Sequence, residues 1–400
     1  MSAYDVIVVG ARCAGSPTAM LLARKGYRVL LVDRASFPSD TVSTHVVVPH
    51  GAARLRAWGL LDRMTATGCP PIHTFTFDFG PVTISGSPAS ADTPVAYAPR
   101  RTVLDALLVE AAGQAGAEVR ENFSVDDVLV EDGRVTGVQG RHRGGRPLTE
   151  RARVVVGADG VHSAVARVVG ATRYREKPRL LCGYYAYWSG VPMHGRFETF
   201  IRPRRGVAAA ETNDGLTLVI AGWPYAELNA NKADLDGSYG RTLELAPEMA
   251  ARLRAGRRET RIVGSAVPNF FRRPYGPGWA LVGDAGYSRD FITAQGIGDA
   301  FRDADLCASA LAAALSGVQS YDEAMATYQR TRDAQVSPMY EMTTELATLE
   351  PSPAPMQELL AVIAGNQEAM DGFVRANAGT DSPASFFAPE NLERIMTGAH

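Results

Sequence analysis

Lysine is nearly missing from this 400-residue chain: Lys25, Lys177 and Lys232 are the only three among 41 basic residues, the rest being arginine. Few ε-amino groups therefore exist to act as catalysts. An excess of positive charge is missing too, since 41 Lys and Arg stand against 43 Asp and Glu. A nucleic-acid binder normally shows a basic footprint, so no nucleic-acid partner is expected. Only Cys13, Cys69, Cys182 and Cys307 carry thiols, far apart and without a Cys-x-x-Cys pair. That spacing predicts no metal site and no disulfide framework, and free thiols suit a reducing, cytoplasmic setting. No uncharged apolar run reaches ~18 residues, and residues 1–5 carry no basic stretch, so neither a membrane span nor a signal peptide is expected. Repeats and low-complexity tracts are absent. What is present is ordinary globular composition, 46% hydrophobic and 21% charged, at a length that suits two to three domains.

Strand, turn and helix alternate from the start. An apolar run at 6–9 leads into Gly10, a helical pattern follows from about 13 to 25, Gly26 takes the C-cap place, and 28–33 is rich in β-formers. This predicts one right-handed βαβ unit. Helices are expected at 52–64 and 102–115, strands at 118–138 and 153–156, and short strands and turns at 70–100. The stretch 180–224 gathers Tyr184, Tyr185, Tyr187, Trp188, Phe197, Phe200 and Trp223 in an alternating pattern, which predicts an antiparallel sheet. A helix at 243–255, a last strand at 279–282 and helices at 296–315, 320–348 and 356–376 complete the pattern, with prolines at 351, 353 and 355 parting the last two.

Three motifs carry chemistry. The first is Gly10-Ala11-Arg12-Cys13-Ala14-Gly15 between strand and helix, with Arg12 where a dinucleotide fingerprint has its second glycine. The outer glycines allow a tight turn, and the helix N-terminus offers N–H groups to a pyrophosphate. Asp33 ends the next strand, placed to accept from a ribose hydroxyl and to repel a 2′-phosphate, which favours FAD or NAD over NADP there. The second motif is Asp159-Gly160 after the strand at 153–156. The third is Gly283-Asp284-Ala285-Gly286 after the last strand, followed by Gln295-Gly296-Ile297-Gly298 at a helix start. Ligands in such folds bind at these carboxyl ends of strands.

In this order the three motifs resemble the para-hydroxybenzoate hydroxylase-like flavoproteins, the group A FAD-dependent monooxygenases, over about residues 4–330. They are also similar to geranylgeranyl-reductase-like flavoproteins. The resemblance implies an α/β chain: a glutathione-reductase-type, Rossmann-like FAD-binding domain with an inserted, mostly antiparallel substrate sheet and C-terminal helices. The expected partition is 1–70, 100–178 and 262–330 for the FAD domain, 71–99 and 179–261 for the substrate domain, and 331–400 for the extension. By matching positions, Gly10, Ala14, Gly15 and Asp33 would hold the ADP half of FAD and Val125 would lie beside the adenine, while Arg12, Arg34 and Arg101 would also contact FAD. Asp159 and Gly160 look like the family's Asp-Gly motif, linked to FAD and NAD(P)H. Gly283 and Asp284 would meet the ribityl chain, and Thr44, Gln295, Gly296, Ile297 and Gly298 the isoalloxazine ring.

The implied reaction needs no side-chain nucleophile: NAD(P)H and O2 hydroxylate or epoxidise a small aromatic or polyketide-like substrate through a flavin C4a-hydroperoxide. His45 and Tyr287 are the catalytic candidates, His45 as a proton relay. Tyr185, Tyr187, Phe200, Trp223 and Phe291 are the substrate candidates. The chain departs from the family where Tyr287 follows Gly286, where Phe291 replaces a proline and where Ala294 replaces a glycine, all at the reactive edge. A flavin-dependent alkene reductase is the alternative. A halogenase is disfavoured by the lack of a lysine between Lys25 and Lys177. The last 70 residues carry no motif; Phe386, Phe387 and Met396 suit either an active-site cap or a dimer contact, so a monomer or a homodimer is expected.

Overall fold

The computed structural model describes residues 4–91 and 93–397. The first three residues, part of the basis for expecting no signal peptide, lie outside the described residues. The central sheet takes strands from distant parts of the chain, in the order Tyr275–Gly276, Trp279–Leu281, Leu148–Gly157, Tyr4–Val9, Val29–Val32, Glu118–Arg120. All neighbours are parallel except Tyr275–Gly276. Alternation along each strand feeds two cores. Val6, Val8, Val29 and Leu31 face the helices Gly15–Ala23, Arg101–Gln114 and Gly296–Leu315. Ile7, Val9, Leu30 and Val32 face the hairpin Phe123–Glu131/Arg134–His142. Burial on both faces explains the unbroken Val/Leu/Ile runs.

The second sheet has the order Arg257–Arg258, Leu181–Ser189, Leu216–Pro224, Arg205–Glu211, Arg196–Arg202, Thr74–Asp78, Thr83–Gly86. It is antiparallel except where Arg196–Arg202 runs parallel to Thr74–Asp78. One face packs on the helices Leu235–Leu243 and Pro247–Ala255 through Cys182, Tyr184, Phe200, Val207 and Trp223. Phe200 and Trp223, two of the substrate candidates, thus lie on the helix-covered face. Cys182 pairs with Trp223 across the strands, so both side chains share that far face. Trp223 is fully buried and stacks on Tyr184 at 5.4 Å.

The expected helix at 296–315 is observed as Gly296–Leu315. The next helix runs unbroken over Tyr321–Leu346, opened by a Ser320/Glu323 capping box. It therefore crosses the expected 330/331 boundary: continuous helical hydrogen bonding joins the two sides. The expected helix at 356–376 is two, Ala354–Ala364 and Gln367–Ala378, parted at Gly365 and at Asn366, whose side chain caps the second. These helices pack on Val46, Val48, Phe75, Ile84, Phe197 and Ala294, spanning both sheets' neighbourhoods. Phe386 is buried and Phe387 packs beside it against Phe373, whereas Met396 is 51% exposed.

Candidate active site

The first strand enters the glycine loop at Gly10, whose φ is +103° and whose Cβ, if present, would stand 2.5 Å from the Ala158 carbonyl. A Cβ at Gly15 would lie 1.8 Å from the Gly10 carbonyl. Only glycine allows this closeness. No side chain caps the Gly15–Ala23 helix, so its N-terminal N–H groups suit a phosphate. Ala14 lies against Gly283, where a Cβ would come within 2.8 Å of its methyl. The first and third motifs thus meet.

Asp33 accepts from Ala11 N at 2.7 Å and Ala35 N at 2.8 Å, and each oxygen keeps a lone pair for a ribose hydroxyl. Arg34 beside it is exposed. Backbone bonds from Asn122 and Phe123 to Ala35 and Asp33 bring half-buried Val125 close to this loop.

Arg12 does not point to a free ligand position. Its guanidinium donates to Asp105 Oδ2 at 2.5 Å, to Ser39 and to the Asp40 carbonyl, and it stacks over Phe37. It clamps the 37–40 segment, and the departure from glycine is explained by that clamp. Buried Arg101 forks onto the same Asp105, which also accepts from Cys13 Sγ. The sequence reading missed Asp105; its signal was an acid one helical turn beyond Arg101. Asp159 serves the chain itself: it accepts from Ser163 Oγ at 2.5 Å and Ala164 N at 2.6 Å, capping the Ala164–Val168 helix. Gly160 next to it is half-buried with φ +77°.

Asp284 is exposed to solvent, although the protein packed around it desolvates its carboxyl. Burial first, and Asp299 next, push its carboxyl up to about 6, while Arg101 opposes them. Beyond it, Gly296 is exposed, Ile297 packs in the first core, and Gly298 lies against His50. An uncapped helix start, crevices that any Cβ would fill and a solvent-exposed carboxylate are together donors and shape that suit FAD. Gly10, Ala14, Gly15, Asp33, Arg101, Asp284 and Gly296 are the residues that would hold it.

Tyr287 lies in an aromatic cluster with Phe271 and Tyr340, at 4.7 and 6.1 Å between ring centres. No ring contact or hydrogen bond joins it to His45 among the described residues. Its ring packs there with Arg289 5.8 Å over it, and its hydroxyl is buried without a hydrogen-bond partner. Phe291 bridges instead, its ring against Gly183 and packed near Leu181 and Leu349.

His45 meets the substrate sheet. Its φ is +67° and it is fully buried, beside half-buried Thr44. Nδ1 stands 2.8 Å from the Ser43 carbonyl. A carbonyl only accepts, so Nδ1 carries the proton and Nε2 accepts. The donor to Nε2 is the Tyr187 hydroxyl. Burial lowers His45 to about 4, so the ring is neutral at pH 7. Arg100 lies 5.2 Å over the Tyr187 ring and is anchored by Asp214 at 2.8 Å. Tyr185 stands edge-on to both His45 and Tyr187. Burial raises its hydroxyl to about 12 and that of Tyr187 further. Tyr185 and Tyr187 lie on the face opposite to Trp223, with Leu216, Leu218, Ile220 and Val263.

Two open hollows, about 580 Å³ around Tyr275 and Asp322 and about 370 Å³ around Lys177 and Glu341, are lined by no residue of the three motifs. The described residues hold no cluster able to bind a metal ion, and no helix among them is long and apolar enough to cross a membrane.

Comparison with known proteins agrees with this geometry. Residues 3–196 match the FAD binding domain family. The match takes in the first two motifs and ends before the third. Protein FixC of Salmonella typhimurium is 35% identical over 186 residues, 45% of this chain and 42% of that protein. The digeranylgeranylglycerophospholipid reductase 1 of Methanococcoides burtonii is 33% identical over 167 residues, 42% of this chain and 40% of that protein. The match thus spans less than half the length of these curated relatives. Over the full length the fold is that of the myxobacterial chondrochloren halogenase CndH, with TM-score 0.81 and 23% identity, covering 100% of this chain and 98% of that one. PqsL of Pseudomonas aeruginosa, described as a probable FAD-dependent monooxygenase, aligns with TM-score 0.71 and 22% identity over 94% of this chain and all of that one. The fold is therefore the expected α/β one: a mostly parallel sheet flanked by helices, a mostly antiparallel second sheet and C-terminal helices, shared over the full length with FAD-dependent enzymes of known structure.

Proposed function

We propose that the chain is an FAD-dependent oxidoreductase, and that it hydroxylates or epoxidises a small aromatic or polyketide-like molecule with NAD(P)H and O2. The observation that carries this reading is the His45–Tyr187 pair on the aromatic face of the second sheet. A neutral histidine that accepts from a buried phenol is a base placed for a phenolic proton. Arg100 over Tyr187 favours the charge that builds on oxygen when that proton moves. Tyr185, Leu218 and Ile220 on the same face suit a flat apolar ring and exclude water. When bound, FAD would supply the redox chemistry, while the chain binds, orients and moves the proton at His45 Nε2.

The similarity to a digeranylgeranylglycerophospholipid reductase favours a second reading, reduction of an alkene, with Tyr187 giving the proton instead of His45 taking it. Halogenation has less support. Lys25 and Lys232 are exposed, and Lys177 is engaged by Glu341 and Thr344.

The test has two steps. Purified protein is first denatured and its supernatant examined for FAD. NAD(P)H oxidation and O2 consumption are then followed together over a panel of phenols and of isoprenoid alkenes. Phenol-stimulated O2 uptake with an oxygenated product supports the first reading. NAD(P)H oxidation with alkenes under anaerobic conditions, and none with phenols, overturns it in favour of the second.

A further inference from the structure

The turn at the start of the Gly296–Leu315 helix is held by the C-terminal helices. Gln295 is its N-cap residue, yet its side chain does not cap it. Buried to 2% exposure, that side chain donates from Nε2 to the Asn377 carbonyl at 3.1 Å. Asn377 lies at the end of the Gln367–Ala378 helix, and Gly379 behind it turns left-handed with φ +71°. A Cβ at Gly379 would stand 3.1 Å from Gln295 Oε1 and 3.3 Å from the His50 ring. On the other side, a Cβ at Gly298 would stand 2.3 Å from His50 Nε2. The imidazole is thus wedged between two residues without side chains, one in the helix start and one in the C-terminal segment. His50 Nδ1 is buried without a hydrogen-bond partner, so close packing is what holds this nitrogen in place. Burial lowers His50 to about 4, with Asp299 opposing and Arg54, Arg302 and Arg289 adding to the shift, which keeps the ring neutral.

The interlock has a chemical use. N–H groups in the first turn of a helix can face an electron-rich ring edge, and their aim depends on how the turn is held. We infer that the Asn377–Gly379 segment is a positioning element of the flavin end: through Gln295 and His50 it aims the Gly296–Gly298 N–H groups at the isoalloxazine. The segment is separated from the turn it holds by some eighty residues of chain. The inference rests on the reading of the Gln295–Gly298 turn as the flavin end.

The experiment compares Gly379→Ala with Gly317→Ala in the full chain. Gly317 is also left-handed, with φ +79°, and nothing lies within 4 Å of its Cβ position. Both variants add one methyl in the same backbone region, and only the first meets the turn. The readouts are the FAD dissociation constant by titration of apoprotein, the visible spectrum of bound FAD and its reduction potential. Gly379→Ala is expected to weaken FAD about tenfold and to shift spectrum and potential, while Gly317→Ala matches wild type. Equal behaviour of the two overturns the inference. Should Gly379→Ala not fold, Gln295→Met keeps the length and removes the donor; it must shift the spectrum, and an unchanged spectrum overturns the inference as well. Wild-type protein that binds no FAD overturns the flavin reading itself, a failure distinct from one in which it binds and the two alanine variants agree.

Discussion

At the nucleotide end of this molecule the site is made of backbone and of missing side chains: Gly10 and Gly15 in contact, an uncapped helix start, Ala14 against Gly283. At the sheet face it is made of side chains: His45, Tyr185, Tyr187 and Arg100 in mutual contact. Backbone sites tolerate no added atom but need few particular chemical groups. Side-chain sites tolerate changes of volume and fail when one polar atom is removed. The two regions should therefore break in different ways.

The largest expected effect is at Gly15. Gly15→Ala forces a methyl to within 1.8 Å of a carbonyl, and a loss of ~4 kcal/mol or more is expected, with FAD content lost too. Thermal melts and released flavin measure both; a wild-type melting point would break the comparison at its stronger end. Tyr187→Phe should instead keep FAD and the fold while turnover drops roughly a hundredfold. Stability should fall by about 1–3 kcal/mol, because His45 Nε2 loses its donor in a buried place. Unchanged kinetics would remove the proton-handling role.

Acid and base should sharpen the contrast. Burial keeps His45 and His50 near 4, below the ordinary histidine value, so the unfolded chain takes up protons first. Their contribution is lost as pH falls from about 6.5 to about 4. Buried Asp290, which accepts from Leu181 N and Ile292 N, is raised to about 7. Its sign is opposite, since the folded form holds a proton that the unfolded form releases, and stability falls as pH rises from about 4 to about 7. Asp290→Asn should therefore gain on wild type between about pH 5 and about pH 8, by on the order of 2 kcal/mol. Denaturant titrations at the two pH values measure the gain, and a constant difference would contradict the assigned protonation. The smallest functional effect is expected for Trp223→Phe, which should cost about 1–3 kcal/mol of stability and leave KM for any substrate unchanged. A raised KM would return Trp223 to the substrate face.

The glycine loop, Asp33 and the Gly296–Leu315 helix were legible because strand–turn–helix punctuation is local, and so was the domain to which they belong. The face of Trp223 and Phe200 was not. Aromatic alternation shows that a strand has two faces, and only pairing with a neighbour shows which one meets the flavin half. The break at Gly365 and Asn366 was hidden because both neighbouring segments are good helix formers of the same character. Arg12 looked like a ligand contact because its partners Asp105 and Ser39 are far away in sequence. His50 and Gly379 gave no signal at all, since a wedge between two glycines exists only after the ends of two distant helices meet.

The parallel pairing of Thr74–Asp78 with Arg196–Arg202 has a consequence for biosynthesis. The earlier strand leaves the ribosome more than a hundred residues before its neighbour, and translation at ordinary speed separates them by roughly ten seconds. During that interval Phe75 and Ile84, which end in a shared core, belong to a hairpin with both edges open. Newly made chains held at this length should thus be the form most in need of a chaperone, and a truncation just before Arg196 the form most prone to aggregate.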